Sequence, residues 1–293
     1  MDQKFTRALA VSCGGLALGL SAWTLWGNTA LTVTPVTVSS RRVPAGFDRF
    51  RIAHLSDLHN AEFGKNNKHL TNLLEKVAPD IIVITGDLVD RRRPDLKIAL
   101  DFVREAVKLS PVYYVPGNHE AKLDLYPQLW GGLTAAGVTV LEDRLVPLTR
   151  GGDTITLVGL ADPRFTIRRD PFRLIPSIIR GRLRRLVRRE DGYHILLSHR
   201  PELFPSYLRC GVDLAFCGHA HGGQARLPLV GGIFAPHQGL FPKYDAGLYT
   251  QGDYSMVVSR GLGNSLCPLR FNNRPEVVVA QLRSQADETA SES

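Results

Sequence analysis

Five times along this chain a short apolar run breaks off at a residue able to bind a metal. Arg51-Ile-Ala-His-Leu-Ser-Asp57-Leu-His59 begins the series. Ile81-Ile82-Val83-Ile84 then runs into Thr85-Gly86-Asp87, and Val112-Tyr113-Tyr114-Val115 into Pro116-Gly117-Asn118-His119-Glu120. Ile195-Leu196-Leu197 leads to Ser198-His199, and Leu214-Ala215-Phe216 to Gly218-His219-Ala220-His221. Short apolar runs bounded by turn residues suit strands buried on both faces. Their polar endings then lie at the carboxyl ends of strands, where α/β sheets place their sites. Alternation along a strand gives Asp57 and His59 the same side. A single Asp-x-His is weak, because an Asp after a strand equally serves as a helix N-cap. Five endings in Asp, Asn or His, all donors for hard or borderline metals, point to one shared cation site.

Between these endings the chain alternates strand with helix. Residues 66–77 place Leu70, Leu73, Leu74 and Val77 on one helical face before Pro79, and residues 96–109 do the same with Ile98, Phe102, Val103 and Ala106 before Pro111. That alternation predicts parallel strands with helices packed outside. Residues 145–160, 224–234 and 253–282 read as strands and turns, with Gly151-Gly152-Asp153 as a hairpin turn. A chain of 293 residues holds one large α/β domain and a short appendage.

The ordered blocks Asp57-x-His59, Gly86-Asp87, Gly117-Asn118-His119-Glu120, His199 and Gly218-His219-x-His221 resemble the calcineurin-like metallophosphoesterase superfamily over residues 50–282. His221-Gly-Gly-Gln224, Pro242-Lys243-Tyr244 and Ser259-Arg-Gly-Leu-Gly263 are similar to its bacterial membrane-associated or exported YkuE-like phosphodiesterase branch. The resemblance implies an α/β, four-layer α-β-β-α sandwich of two mixed sheets, with two divalent metal ions (Mn, Fe or Zn) at one rim. Asp57, His59, Asp87 and His221 would hold the first metal, and Asp87, Asn118, His199 and His219 the second. In such pairs the ions lie about 3.5–4 Å apart and activate a water as the nucleophile. On the same resemblance His119 is the catalytic residue, bonding the phosphoryl oxygens and protonating the leaving alkoxide. Its alternative is a supporting role, orienting Asp57 or Glu120. His54, His69 and His194 read as structural or exposed, and His237 as solvent-exposed rather than substrate-touching.

Residues 8–26 carry no charge and follow Lys4 and Arg7, so residues 1–27 are expected to form a transmembrane signal anchor with the domain on the extracytoplasmic side. A cleaved signal peptide and a secreted domain are the alternative. Residues 28–46 follow as a linker, with an edge strand as its other reading. Residues 47–283 then form the metallophosphoesterase domain and 284–293 a disordered tail. Cys13 lies in the apolar segment, leaving Cys210, Cys217 and Cys267 as buried free thiols rather than a disulfide framework.

Basicity is confined to one place. Residues 164–189 contain ten arginines against one aspartate, while the whole chain is +8, so the remainder is close to neutral. Ile179, Leu183, Leu186 and Val187 recur at helical spacing among those arginines, as in a basic amphipathic helix. Arg180, Arg184 and Arg188 on this cap-like insertion would meet a membrane surface or steer a polyanionic substrate. A nucleic-acid partner is disfavoured, since Phe165 and Phe172 are the only aromatics there.

The resulting expectation is a dinuclear metal-dependent phosphoesterase, cleaving a phosphodiester or pyrophosphate at a membrane surface, with lipid-linked substrates included. The alternatives are a lipid-nucleotide pyrophosphatase of the UDP-diacylglucosamine type and a non-catalytic metal-binding membrane scaffold. Oligomeric state is not written in these residues.

Overall fold

A computed structural model of the chain describes residues 3–167, 173–187, 192–264, 267 and 269–285. The first half runs α1 (Gln3–Thr29), β1 (Thr32–Ser40), β2 (Arg51–Leu55), α2 (Lys68–Val77), β3 (Ile81–Ile84), α3 (Leu96–Ala106), β4 (Val112–Tyr114), α4 (Tyr126–Ala135) and β5 (Thr139–Val140). The second half runs β6 (Arg144–Arg150), β7 (Asp153–Gly159), α5 (Ile175–Leu186), β8 (Tyr193–Leu197), α6 (Phe204–Leu208) and β9 (Leu214–Cys217). Two short ladders follow, β10 (Arg226–Leu227) with β11 (Gly231–Gly232) and β12 (Phe234–Ala235) with β13 (Gly239–Leu240). The last strands are β14 (Gly247–Gln251), β15 (Tyr254–Val258) and β16 (Glu276–Ser284).

The strands form two six-stranded mixed sheets, ordered β1-β16-β2-β3-β4-β5 and β14-β15-β9-β8-β7-β6. Within the first, β2, β3, β4 and β5 are parallel; within the second, β7, β8, β9 and β15 are. Strand alternation sorts the apolar runs into three layers. Ile52, Val83, Ile195, Leu197 and Phe216 fill the space between the sheets. Ala53, Leu55, Ile82 and Ile84 face α2, α3 and α4, whose Leu74, Phe102 and Leu129 complete that layer. Leu196, Ala215 and Cys217 face α5 and α6 through Ile179, Leu183 and Phe204. Each central strand is buried on both faces, which is why its sequence is continuously apolar rather than alternating.

The helix expected at 66–77 begins at Lys68, because Asn66 and Asn67 adopt left-handed φ values of 56° and 57°. The Asn67 side chain there accepts the Phe63 N–H at 2.8 Å. Gly151 and Gly152, both with positive φ, close the two-residue β6–β7 hairpin.

Two expectations change. The 28–46 stretch assigned as a linker contains β1, which pairs in parallel with β16 along its whole length as the edge of the first sheet. Its Val38 joins the intersheet core, so burial of that face favours the strand. Among its described residues the basic segment forms α5, the crossover joining parallel β7 and β8, rather than a cap; parallel neighbours require such a connection. Its Ile175, Ile179 and Leu183 pack on the sheet, and its Arg182 is buried against Asp143 at 3.2 Å. The expected membrane-spanning segment coincides with α1, yet among the described residues no helix is long and apolar enough to cross a membrane.

Candidate metal centre

The seven side chains assigned to metals all sit on loops leaving the carboxyl ends of β2, β3, β4, β8 and β9, so both sheets deliver to one rim. Asp57 Oδ1 lies 3.4 Å from His221 Nε2 and 3.7 Å from His59 Nε2. Asp87 Oδ2 lies 3.6 Å from His59 Nε2 and 3.3 Å from His199 Nε2, so one carboxylate oxygen faces a histidine of each group. His219 Nδ1 is 3.1 Å from His199 Nε2. Asp57, His59 and His221 each offer a ligand atom within 4.8 Å of the others, and so do Asp87, His199 and His219. Asn118 Oδ1 is buried without a hydrogen-bond partner, as are both ring nitrogens of His59. An orphaned buried acceptor costs roughly 1–3 kcal/mol. Clustered carboxylate and imidazole donors, with the Asn118 carboxamide oxygen and the His59 ring left unpartnered, suit a pair of divalent cations.

Local backbone strain builds this cluster. Asp57, His59, Asp87, His219 and His221 all hold left-handed φ values, from 45° to 67°. Asp and His tolerate that region better than most side chains, at a cost of order 1 kcal/mol or more each. Backbone bonds hold them there: Asp57 N donates to Gly86 O at 3.0 Å, and His59 N to Asp87 O at 3.0 Å. Gly117 permits the close approach of the β3 and β4 loops, since a Cβ there would run into the Asp87 carboxylate.

Burial opposes charge on every group here. It pushes the His221 imidazole down to about 3 and lowers His219 well below its ordinary value, with Arg200 adding to the effect. Burial also works against the Asp57 and Asp87 carboxylates, but His221 and His199 beside them hold both well below the usual range. Asp87 likewise overrides burial at His199 and raises it to about 10. His199 Nδ1 donates to Thr85 O at 2.7 Å, which turns Nε2 toward Asp87.

His119 stands beside the cluster, its ring edge-on to His59 with centroids 4.5 Å apart. Its backbone N donates to Asp87 Oδ1 at 2.8 Å, and its Nδ1 accepts the Arg91 N–H at 3.2 Å, which leaves the ring proton on Nε2. Burial lowers this imidazole to about 4. A cavity of about 250 Å³ opens over Asp87, Asn118, His119, His219 and His221, walled by Phe234, Pro236 and His237. Arg180 and Arg184 do not line it, and Arg188 lies outside the described residues. Cys267, expected buried, is exposed and lines the cavity. His237, expected to face solvent, is exposed, and its ring also stacks on His219 at 5.0 Å where it lines the cavity.

Several supporting roles escaped the sequence reading. Glu120 accepts the Asp87 and Gly117 N–H groups at 2.8 Å each, and burial with Asp87 nearby raises its carboxyl to about 7. Arg200 is buried and donates two hydrogen bonds to Asp162, at 2.5 and 3.2 Å, and Nη1 also bonds His237 Nδ1 at 2.9 Å. Asp162 follows β7 just as the five noticed donors follow their strands, so the same pattern carries its signal. Arg270 is buried behind His221, donating to Arg260 O at 2.7 Å and Gly263 O at 2.5 Å.

Residues 50–223 match the Calcineurin-like phosphoesterase family, with all seven donor positions inside the matched span. The chain belongs to that family. The uncharacterized metallophosphoesterase YkuE of Bacillus subtilis is 31% identical over 264 residues, covering 87% of this chain and 86% of the relative. The phosphodiesterase YaeI of Escherichia coli is 31% identical over 242 residues, 80% of this chain and 82% of the relative. A zebrafish transmembrane protein with a metallophosphoesterase domain is 26% identical over 264 residues, 86% of this chain but 57% of that protein. As a calcineurin-like phosphoesterase the chain is a hydrolase of phosphoric esters, and the family works with a dinuclear divalent metal centre.

Proposed function

We propose that this metallophosphoesterase cleaves a phosphodiester or pyrophosphate bond, with Asp57, His59, Asp87 and His221 holding one divalent ion and Asp87, Asn118, His199 and His219 the other. The observation carrying this reading is that Asp87 Oδ2 faces His59 of one Asp/His triad and His199 of the other, with the buried Asn118 Oδ1 left without a partner beside the same cavity. When bound, the two ions supply charge to clamp the phosphoryl group and lower the pKa of a water. Asp87 would contribute to holding both ions, and Glu120 fixes Asp87 through its backbone N–H. His119 holds its proton at Nε2, donated to a phosphoryl or leaving-group oxygen; the Arg91 N–H maintains that tautomer.

A diester is favoured over a monoester by the walls. Among the described residues lining the cavity there is no Lys or Arg to balance a dianion, while Phe234 and Pro236 offer apolar contact to an organic substituent. A membrane-facing orientation draws support from exposed apolar side chains on α1 and near the cavity. On α1, Leu18, Trp23, Leu25 and Trp26 are exposed; near the cavity mouth, so are Phe234, Leu240, Phe241 and Leu269. Asn28, at the end of α1, bonds Arg270 O at 3.1 Å and joins the two surfaces. This apolar face, more than Arg180, Arg184 and Arg188, would lie against a bilayer, so α1 acts as an interfacial helix.

The test is metal-restored hydrolysis of an aryl phosphodiester against the matching monoester. We expect Mn²⁺, Fe²⁺ or Zn²⁺ to restore diester cleavage that Asp87→Ala abolishes. Equal turnover in Asp87→Ala would overturn the assignment, and a monoester preference would overturn the substrate class.

A further inference from the structure

A second group of charges stands next to His119 and has no part in the chemistry above. Arg91 and Lys122 both reach His119 through the backbone: Arg91 N donates to His119 Nδ1 at 3.2 Å, and Lys122 N donates to His119 O at 3.1 Å. Both side chains are exposed, and among the described residues neither has a carboxylate within ion-pair distance. Arg164 lies on the turn Pro163–Phe165, whose first N–H groups are capped by Asp162. A hollow of about 430 Å³ runs from Lys122 to Arg164, floored by Tyr126, Pro127 and Phe165, with the Tyr126 and Phe165 rings edge-to-face at 5.0 Å. Two carboxylates border it. Glu120 is turned inward onto the Asp87 and Gly117 N–H groups, leaving Asp124 against the cations.

Partial burial and then repulsion from Arg91, Arg164 and Arg200 lower the Lys122 pKa. Lys122 therefore lies within electrostatic reach of all three guanidinium groups, an arrangement that an anion relieves. The catalytic cavity holds no Lys or Arg among its described lining, whereas this neighbouring hollow does. One phosphoryl group over the metal donors leaves the cations unused; a second phosphate on the side of His119 that the Arg91 and Lys122 backbones bond would meet them.

We propose that Arg91 and Lys122, with Arg164 behind them, form a second phosphate subsite on the leaving-group side of His119, and that the substrate is an organic pyrophosphate diester. This deepens the functional reading above and rests on it. A water oxygen forms the new bond to the phosphorus over the metal donors. The bridging P–O bond breaks and its electron pair stays on the leaving phosphomonoester. The two water protons are shared between the two monoester products and solvent. The charge gathering on the leaving phosphate is what Arg91 and Lys122 neutralise, and charge-assisted contacts to phosphate are strong enough to matter there.

The test compares the full chain and its Arg91→Ala/Lys122→Ala variant, both Mn²⁺-loaded, on a nucleoside diphosphate hexose and on bis(4-nitrophenyl) phosphate. The expected result is a loss of about 10–100-fold in kcat/KM on the pyrophosphate and less than about threefold on the diester. Lys122→Arg should recover most of the loss. Equal losses on both substrates, or none on either, overturn the proposal. Binding separates it from the functional reading. A methylene-bridged nucleoside diphosphate should bind the wild-type protein at least tenfold more tightly than the nucleoside monophosphate, and the double variant should lose that preference. If neither substrate turns over, the hydrolytic reading falls while this binding difference still decides the subsite. Equal binding of the two nucleotides overturns it.

Discussion

Asp162→Ala is the most informative single substitution, because it removes one half of a fully buried ion pair. The Asp162 and Arg200 side chains are 0% and 1% exposed and meet through two bonds, at 2.5 and 3.2 Å. Breaking such a pair by deleting one partner costs about 3–5 kcal/mol, most of it the stranding of the remaining charge. Glu202 still lies 3.3 Å from Arg200 Nη1, and its side chain is 19% exposed, so some compensation and some water remain available. The expected loss therefore falls at the lower end, about 3 kcal/mol. For a domain of this size that corresponds to a fall in melting temperature of roughly 6–12 °C. Differential scanning calorimetry of the metal-free protein gives the number. The double variant Asp162→Ala/Arg200→Met should recover at least half of it, since the buried guanidinium is then no longer stranded. Arg200 also holds His237 against His219, so the single variant should bind its second metal equivalent more weakly. A melting shift under 2 °C, or a double variant no more stable than the single, would refute the reasoning, because the guanidinium would then be hydrated in place.

Three further variants separate site from scaffold. Asn118→Ala removes an acceptor that has no partner in the apo site, so metal-free melting should stay level or rise slightly while the second Mn²⁺ equivalent binds at least about tenfold more weakly by calorimetric titration. Asp245 accepts from Gly232 N, Arg226 Nη1, Ala246 N and Tyr249 Oη at 2.7–2.8 Å. Burial opposes its charge, but Tyr249 and these donors hold its carboxyl below the usual range. Its contribution is thus present above about pH 4 and lost as pH falls through the depressed native value. Asp245→Asn should loosen the β10–β11 ladder by about 1–2 kcal/mol at pH 6, read by hydrogen exchange at Gly232, and the difference should vanish in acid. Leu240→Ser with Phe241→Ser, both exposed at the cavity mouth, should reduce co-flotation with anionic lipid vesicles several-fold and leave melting unchanged; unaltered flotation would remove the apolar face from the membrane reading.

The sequence by itself determined the donor types and the end of the strand each would occupy. That information is local: a run such as Ile81-Ile82-Val83-Ile84 must be buried on both faces, so Gly86-Asp87 has to leave at its end. The strand-helix alternation and the helical face Leu70, Leu74 were legible for the same reason. The tertiary structure alone decided which donors share an oxygen. His59 and His199 meet at Asp87 Oδ2 because the two sheets pack face to face. It also decided that residues 32–40 are a sheet edge on β16 and that the basic segment is a crossover helix rather than a cap. Asp162 and Arg200 are 38 residues apart, and neither announces the other. Periodicity reports whether a residue is buried and on which face; pairing across distant segments depends on sheet register and packing, which no local pattern encodes.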